Sequence, residues 1–260
     1  GFSYDLGEIV LGGDLWANET TNIGAYFGYG QYSMGEHTSS TSSSSFTSKA
    51  YHVGAYGTHD SANWSMTGMA GFSWANTETT REAVTGSTSN IHNADYDSRT
   101  FEAAVRAEYM GFKSGGAWQF VPEVGLGYAR YTQDAITETG PSGTALTIKD
   151  ATAESLIGSI GINMTGPVFG GGLKPLAFLR YEHDFLASRD NVHEINAAFA
   201  SSPGTSQTFI GTHRGPDAIS IGFGLSSAAG SSADVSAGLV YTKNTNGDEF
   251  GGGLRITWAF

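Results

Sequence analysis

The sequence contains no cysteine, which excludes a disulfide framework and any thiolate-based zinc or redox site. Proline is scarce, at 6 of 260 residues. Charge is scarce too, since Asp, Glu, Lys and Arg make up 15% of the chain against about a quarter in a soluble globular domain. Bases are fewest, 13 against 25 acids, for a formal net charge of −12. No basic stripe is left to neutralise phosphates, so nucleic acid is excluded as a partner. No run reaches the ~18 consecutive apolar residues of a transmembrane helix, and a mean hydropathy of −0.19 is too polar for a bundle of such helices. Neither an initiating Met nor a signal-peptide pattern stands at Gly1, so the chain is expected to be a mature fragment of something longer.

What is abundant is glycine, 37 residues, and aromatic side chains, 12% of the chain, set in a period of two. In Ile219, Ile221, Phe223 and Leu225 every second residue is large and apolar, and Ser or Gly stands between them. Ile23, Ala25, Phe27 and Tyr29 alternate in the same way with Gly24, Tyr26, Gly28 and Gly30. Phe101, Ala103, Val105, Ala107 and Tyr109 stand opposite Glu102, Ala104, Arg106 and Glu108, and Val124, Leu126 and Tyr128 opposite Glu123, Gly125, Gly127 and Ala129. Successive strand residues point to opposite faces, so each stretch is a strand with one apolar face.

Two architectures use such strands. A soluble sandwich turns the apolar faces into a core; a transmembrane barrel turns them to lipid and lines its lumen with small and polar residues. The second fits better. The opposite face is Gly, Ser and Ala with occasional Glu and Arg, without the plentiful Lys, Thr and Glu of a soluble sheet, and many segments reach the ~9–11 residues of a tilted membrane strand. Aromatics sit at strand ends, as in interfacial girdles: Trp16, Tyr29, Tyr51, Trp64, Trp74, Tyr109, Trp118, Tyr128, Tyr181, Tyr241 and Trp258. Strands are expected near residues 5–16, 21–36, 48–60, 63–82, 94–113, 117–134, 145–165, 174–186, 216–228, 233–244 and 249–260. Their connections alternate between short and long, the long ones being 37–47, 82–93, 137–144 and 187–215. Outer-membrane barrels alternate in this way, with short periplasmic turns and longer extracellular loops. Only the last extracellular connection, 244–247, reads as short.

The fold class expected is therefore all-β, a transmembrane antiparallel barrel of the outer-membrane type. Eleven strands are counted, whereas bacterial single-chain barrels use an even number. The economical expectation is a parent barrel of twelve with one strand upstream of residue 1. The first and last strands here would then not pair with each other.

The stretches "GFSYDLGEIVLGGDLWANETTNIGAYFGYGQYSMG", "AYHVGAYGTHDSANWSMTGMAGFSWANTETTRE", "WQFVPEVGLGYARYTQDAITETG", "PLAFLRYEHDF", "AISIGFGLSSA" and "GGGLRITWAF", in this order, resemble the autotransporter β-domain, the translocator domain of type V secretion. The motifs are loose singly; their order and spacing over essentially the whole chain carry the resemblance. It implies a twelve-stranded barrel in the Gram-negative outer membrane whose partners are lipid, a lumenal junction helix, its own N-terminal passenger and the barrel-assembly machinery. The implied function is export and surface anchoring of the passenger. A stand-alone porin or small-solute channel is the alternative, and it requires a full even strand count and an inward-folded constricting loop. The chain departs from the family at its N-terminal boundary, so no cleavage residues are assigned and no catalytic residue is expected.

Candidate lumenal charges are Glu102, Arg106, Glu108, Glu123, Arg180, Glu182, Asp184 and Arg255. They could contact a passing polypeptide or, in the full-length parent, assist self-cleavage of the junction. The plainer reading is that Arg–Glu pairs brace a hydrated lumen. Leu254, Ile256, Trp258 and Phe260 form the terminal strand face, which by resemblance is read by the assembly machinery. His52, His183 and His193 lack the spacing of a zinc helix, so no metal and no cofactor are expected. "GPSGTA" and "GLSSAAG" are not nucleophile elbows.

Overall fold

Period-two alternation becomes strand over nearly the whole chain. The computed structural model describes residues 2–36, 43–112, 118–141, 143–170, 172–187, 194–211, 215–227 and 233–258. Its elements in chain order are β1 (Phe2–Ala17), β2 (Thr21–Glu36), β3 (Ser44–Asp60), β4 (Trp64–Thr85), β5 (Thr88–Tyr109), β6 (Gln119–Gln133), β7 (Ile136–Thr137), β8 (Leu146–Ile148), β9 (Ala151–Thr165), β10 (Leu173–Asp184), β11 (Glu194–Phe199), β12 (Gln207–Ile210), β13 (Asp217–Ser227), β14 (Ala233–Asn244) and β15 (Asp248–Trp258). Eleven of them form one antiparallel sheet in the order β1-β2-β3-β4-β5-β6-β9-β10-β13-β14-β15. Each strand pairs with its neighbour in the chain, as in an up-and-down barrel. No ladder joins β1 to β15 among the described residues.

There is no sandwich core among the described residues. The buried apolar residues are Ala50, Ile136, Ala145, Leu186, Ala197 and Ala218, whereas the large side chains Ile9, Phe27, Phe72, Val105, Leu126, Ile160, Ile221, Leu239 and Leu254 all stand exposed. The accessible surface is 16184 Å²; a compact soluble monomer of this mass exposes roughly 11,000 Å². An apolar outer face that meets no other protein layer fits contact with lipid.

The sheet departs from the sequence reading at one end. The connection expected at residues 82–93 is a tight turn, because β4 and β5 continue in register to Thr85 and Thr88. Gly86, at φ +64°, takes the left-handed conformation that the turn requires. The loops expected at 137–144 and 187–215 are not structureless either. They supply β7, β8, β11 and β12, a second antiparallel sheet in the order β12-β11-β8-β7. The segment expected as one strand from residue 145 breaks at Lys149 and Asp150, leaving Leu146–Ile148 to the small sheet. The short turns at 17–21 and 60–64 lie at the opposite end from these long connections, and on that basis we assign the long end to the cell exterior.

Candidate functional site

Parity decides which side chains meet on the inner face. Glu123 (β6) and Arg180 (β10) both stand opposite Gly161 of β9. With no side chain between them, Arg180 Nε donates to Glu123 Oε1 at 2.6 Å. Arg106 Nη1 lies 3.9 Å from Glu123 Oε2, and Asn163 Nδ2 donates to Glu123 at 2.9 Å and to Glu108 at 3.4 Å. Glu108 and Glu123 are direct cross-strand partners, a like-charge pairing that costs stability alone. Two guanidinium groups and the shared amide offset that cost. The Glu123 side chain is 2% exposed. Arg106, Glu108, Glu123 and Arg180 therefore form one braced cluster.

The other candidates lie apart. Glu102 accepts a hydrogen bond from the Tyr26 hydroxyl at 3.3 Å. Glu182 shares the inner face of β10 with Arg180. Asp184 sits at the exterior end of β10, accepting from Ser155 Oγ at 2.9 Å and from the Leu156 and Leu186 N–H groups. Arg255 has no ion-pair partner among the described residues and lines a cavity of about 470 Å³ with Asn163, Phe178 and Gly238.

Two inward tyrosines escaped the sequence reading. Tyr26 of β2 lies flat over Gly54 of β3 and Gly71 of β4 to reach Glu102 of β5, four residues in one register row. A Cβ at Gly54 would overlap the Tyr26 ring, and one at Gly71 would meet its hydroxyl. Tyr56 of β3 likewise lies over Gly24 of β2 and donates to Asp14 of β1 at 2.8 Å. The signal was present, for Tyr26 sits in the small-residue alternation Gly24, Gly28, Gly30, where a large side chain is out of place unless the neighbouring strands leave it room.

The wall beside Arg255 is lined largely by glycine, with Val240 between Gly222 and Gly251 and the Phe178 ring lying over Gly222. Gly224, Gly238 and Gly253 share one register row across β13, β14 and β15, and Gly222 and Gly251 lie on the same face. One side of the interior thus carries charges and tyrosine lids, and the other a glycine row at Gly224, Gly238 and Gly253 with smaller side chains beside it.

On the outer face the girdle aromatics fall at two levels. Trp16, Trp64 and Tyr109 lie toward the short-turn end, with Trp64 and Tyr109 rings 4.9 Å apart. Tyr51, Trp74, Tyr128, Tyr181 and Tyr241 lie toward the exterior end, with Tyr51 and Trp74 stacked at 5.8 Å. Leu254 and Ile256 face outward and are exposed. The Trp258 side chain and Phe260 lie outside the described residues, as does His193.

The family model described as the autotransporter β-domain matches residues 1–240. The chain belongs to the autotransporter β-domain family. Solved structures similar to it include the translocator domain of autotransporter NalP from Neisseria meningitidis, at 15% identity and a TM-score of 0.64, covering 100% of this chain and 82% of that one. The transport unit of autotransporter AIDA-I from Escherichia coli is similar at 15% identity and a TM-score of 0.59, covering 100% and 84%. The β-domain of the Bordetella autotransporter BrkA is similar at 13% identity and a TM-score of 0.62, covering 100% and 92%. No curated protein sequence matches. The β-domain is accordingly an outer-membrane barrel of the translocator type.

Above the lipid band the β-domain carries a second group of polar contacts. Arg81, on the exterior extension of β4, makes a two-pronged pair with Glu138, Nε to Oε1 at 2.7 Å and Nη2 to Oε2 at 2.5 Å. The Leu146 N–H also donates to Glu138. Burial by itself would raise the Glu138 carboxyl; the hydrogen bonds from Arg81 and Leu146, with the Arg81 charge, outweigh it and hold the group below its ordinary 4.5. Beside this pair His92 is 1% exposed, its Nε2 against Thr144 Oγ1 at 2.9 Å. These contacts fasten the small sheet to the β4–β5 extension. Of the other histidines, His52 Nε2 lies 3.4 Å from the Tyr32 hydroxyl and 3.8 Å from Glu8, and His183 pairs with Asp217 at 2.8 Å.

Proposed function

We propose that the β-domain exports a covalently attached N-terminal passenger through the outer membrane and holds it at the cell surface. The observation that carries this reading is the asymmetric interior. The glycine row Gly224, Gly238 and Gly253 leaves room for a segment of polypeptide, while Arg180 and Arg106 against Glu123 stiffen the facing wall. The relatives NalP, AIDA-I and BrkA are described as translocator, transport and β-domains of autotransporters. β1 and β15 both run from exterior to periplasm, and among the described residues each pairs on one side only. A further strand running outward between them would close the ring, leaving no backbone group unpaired in hydrocarbon. No residue is assigned a catalytic role.

The test is export itself. An unstructured epitope-tagged peptide, joined upstream through the closing strand, should become sensitive to protease added to intact cells. A tag that stays protected while the barrel is inserted would overturn the reading. We further propose that the terminal strand face, Leu254, Ile256, Trp258 and Phe260, is read during assembly. Phe260→Ala should then slow insertion more than it lowers the stability of inserted protein; equal losses would mark Phe260 as an interfacial aromatic alone.

A further inference from the structure

On the outer face, at the exterior edge of the lipid band, two register rows cross β3, β4 and β5. The upper row is Lys49, Asn76 and Asp97; the lower is Tyr51, Trp74 and Arg99. Their side chains wall a cavity of about 500 Å³. Its floor is aromatic, since Tyr51 and Trp74 lie 5.8 Å apart with ring planes within 21° of each other, and Phe72 follows at 6.1 Å. Two cations stand at its rim. Lys49 is exposed and has no ion-pair partner among the described residues. Arg99 is 56% exposed and only 3.9 Å from an equally exposed Asp134, a separation at which a surface pair contributes little. The one carboxylate in the wall, Asp97, is engaged by Asn76 Nδ2 at 3.1 Å. On β6 a third outward cation, Arg130, faces Glu154 at 3.9 Å.

We infer that this cavity binds the phosphorylated headgroup of an outer-leaflet glycolipid. A chain of net charge −12 gains nothing in solubility from cations placed just above its lipid-facing aromatics. A phosphate at that depth gives Lys49 an anion and Arg99 a closer one than Asp134 at 3.9 Å, and Arg offers it two parallel N–H donors. The Tyr51–Trp74 plate presents a flat apolar surface at headgroup level, where such rings reside and where the apolar face of a sugar ring can lie. The acyl chains then continue down the outer face past Val53, Phe72 and Phe101 without leaving hydrocarbon. A glycerophospholipid has a phosphate but no sugar ring for the plate, so the glycolipid is the better occupant. The inference rests on the outer-membrane placement of the barrel and is independent of passenger export.

The test is native mass spectrometry of the whole β-domain in mild detergent, titrated with purified lipid A, with dephosphorylated lipid A and with phosphatidylglycerol. Wild type should retain one lipid A and bind the dephosphorylated form and phosphatidylglycerol at least about tenfold more weakly. Lys49→Gln/Arg99→Gln should lose lipid A affinity by about tenfold or more, at roughly fivefold per cation. Lys243→Gln, a change at an outward cation opposite Asp248, should leave binding as in wild type. Lys49→Arg/Arg99→Lys should stay within about threefold of wild type. Unchanged binding in the Gln pair, phosphatidylglycerol bound as tightly as lipid A, or loss in the charge-preserving pair would each overturn the proposal. If the Gln pair fails to fold, the dephosphorylated lipid on wild type decides alone.

Discussion

Glu123 holds three partners on the inner wall, the side chains of Arg180, Arg106 and Asn163. Removing Glu123 leaves Arg180, 25% exposed, without its charged hydrogen-bond partner, a loss of about 1.5–3 kcal/mol. Glu123→Ala should therefore lower the urea midpoint of the inserted barrel strongly, read by the shift between folded and unfolded gel migration. Glu123→Leu combined with Arg180→Met should recover much of the loss; a double variant as unstable as the single would show that the cluster does more than balance charge. Tyr26 makes a second argument at this scale, because its ring needs the space over Gly54 and Gly71. Gly71→Val should cost about 1–3 kcal/mol by overpacking, and Tyr26→Ala in that background should restore part of it. Parity along each strand made the inward charges legible in the sequence. Which of them touch was not legible, since Glu123 meets Arg180 only because register sets Gly161 between them.

At the scale of elements, strand limits were readable where alternation ran between turn signals, as in β2 and β14. They were not readable above the lipid band. The β4–β5 extension carries Thr, Glu, Arg and Asn toward water on both faces, so no apolar stripe marks it as strand. The small sheet is joined at its centre by pairing Leu146–Ile148 with Ala197–Phe199, partners distant in sequence that local pattern does not reveal. The join between extension and small sheet should be sensitive to acid. The Glu138 carboxyl is depressed below 4.5, so its contribution is fully present above that value and is lost as pH falls through the lower folded one. Protection factors at 143–148, corrected for the intrinsic pH dependence of exchange, should be constant from neutral pH down to the ordinary carboxylate value of 4.5 and should fall at lower pH, while the ladders of β2 and β3 stay protected. Arg81→Met should give fast exchange at neutral pH; slow exchange there would mean that the pair does not fasten the sheet.

At the scale of the whole molecule, glycine and aromatic content, low charge and period-two faces together specified a barrel. Burial completes the argument, for the few buried apolar residues are mostly alanine. Family membership then gives the barrel its translocator character, and the proposed export path runs along the glycine row of β13, β14 and β15. Because the chain has no cysteine of its own, that path can be mapped with single introduced ones. Gly238→Cys faces the interior and Leu239→Cys the lipid. With a passenger segment carrying one cysteine and stalled during export, a disulfide should form at residue 238 and not at 239. Equal capture at both positions, or no capture at 238 while the segment reaches the surface, would contradict passage through the lumen.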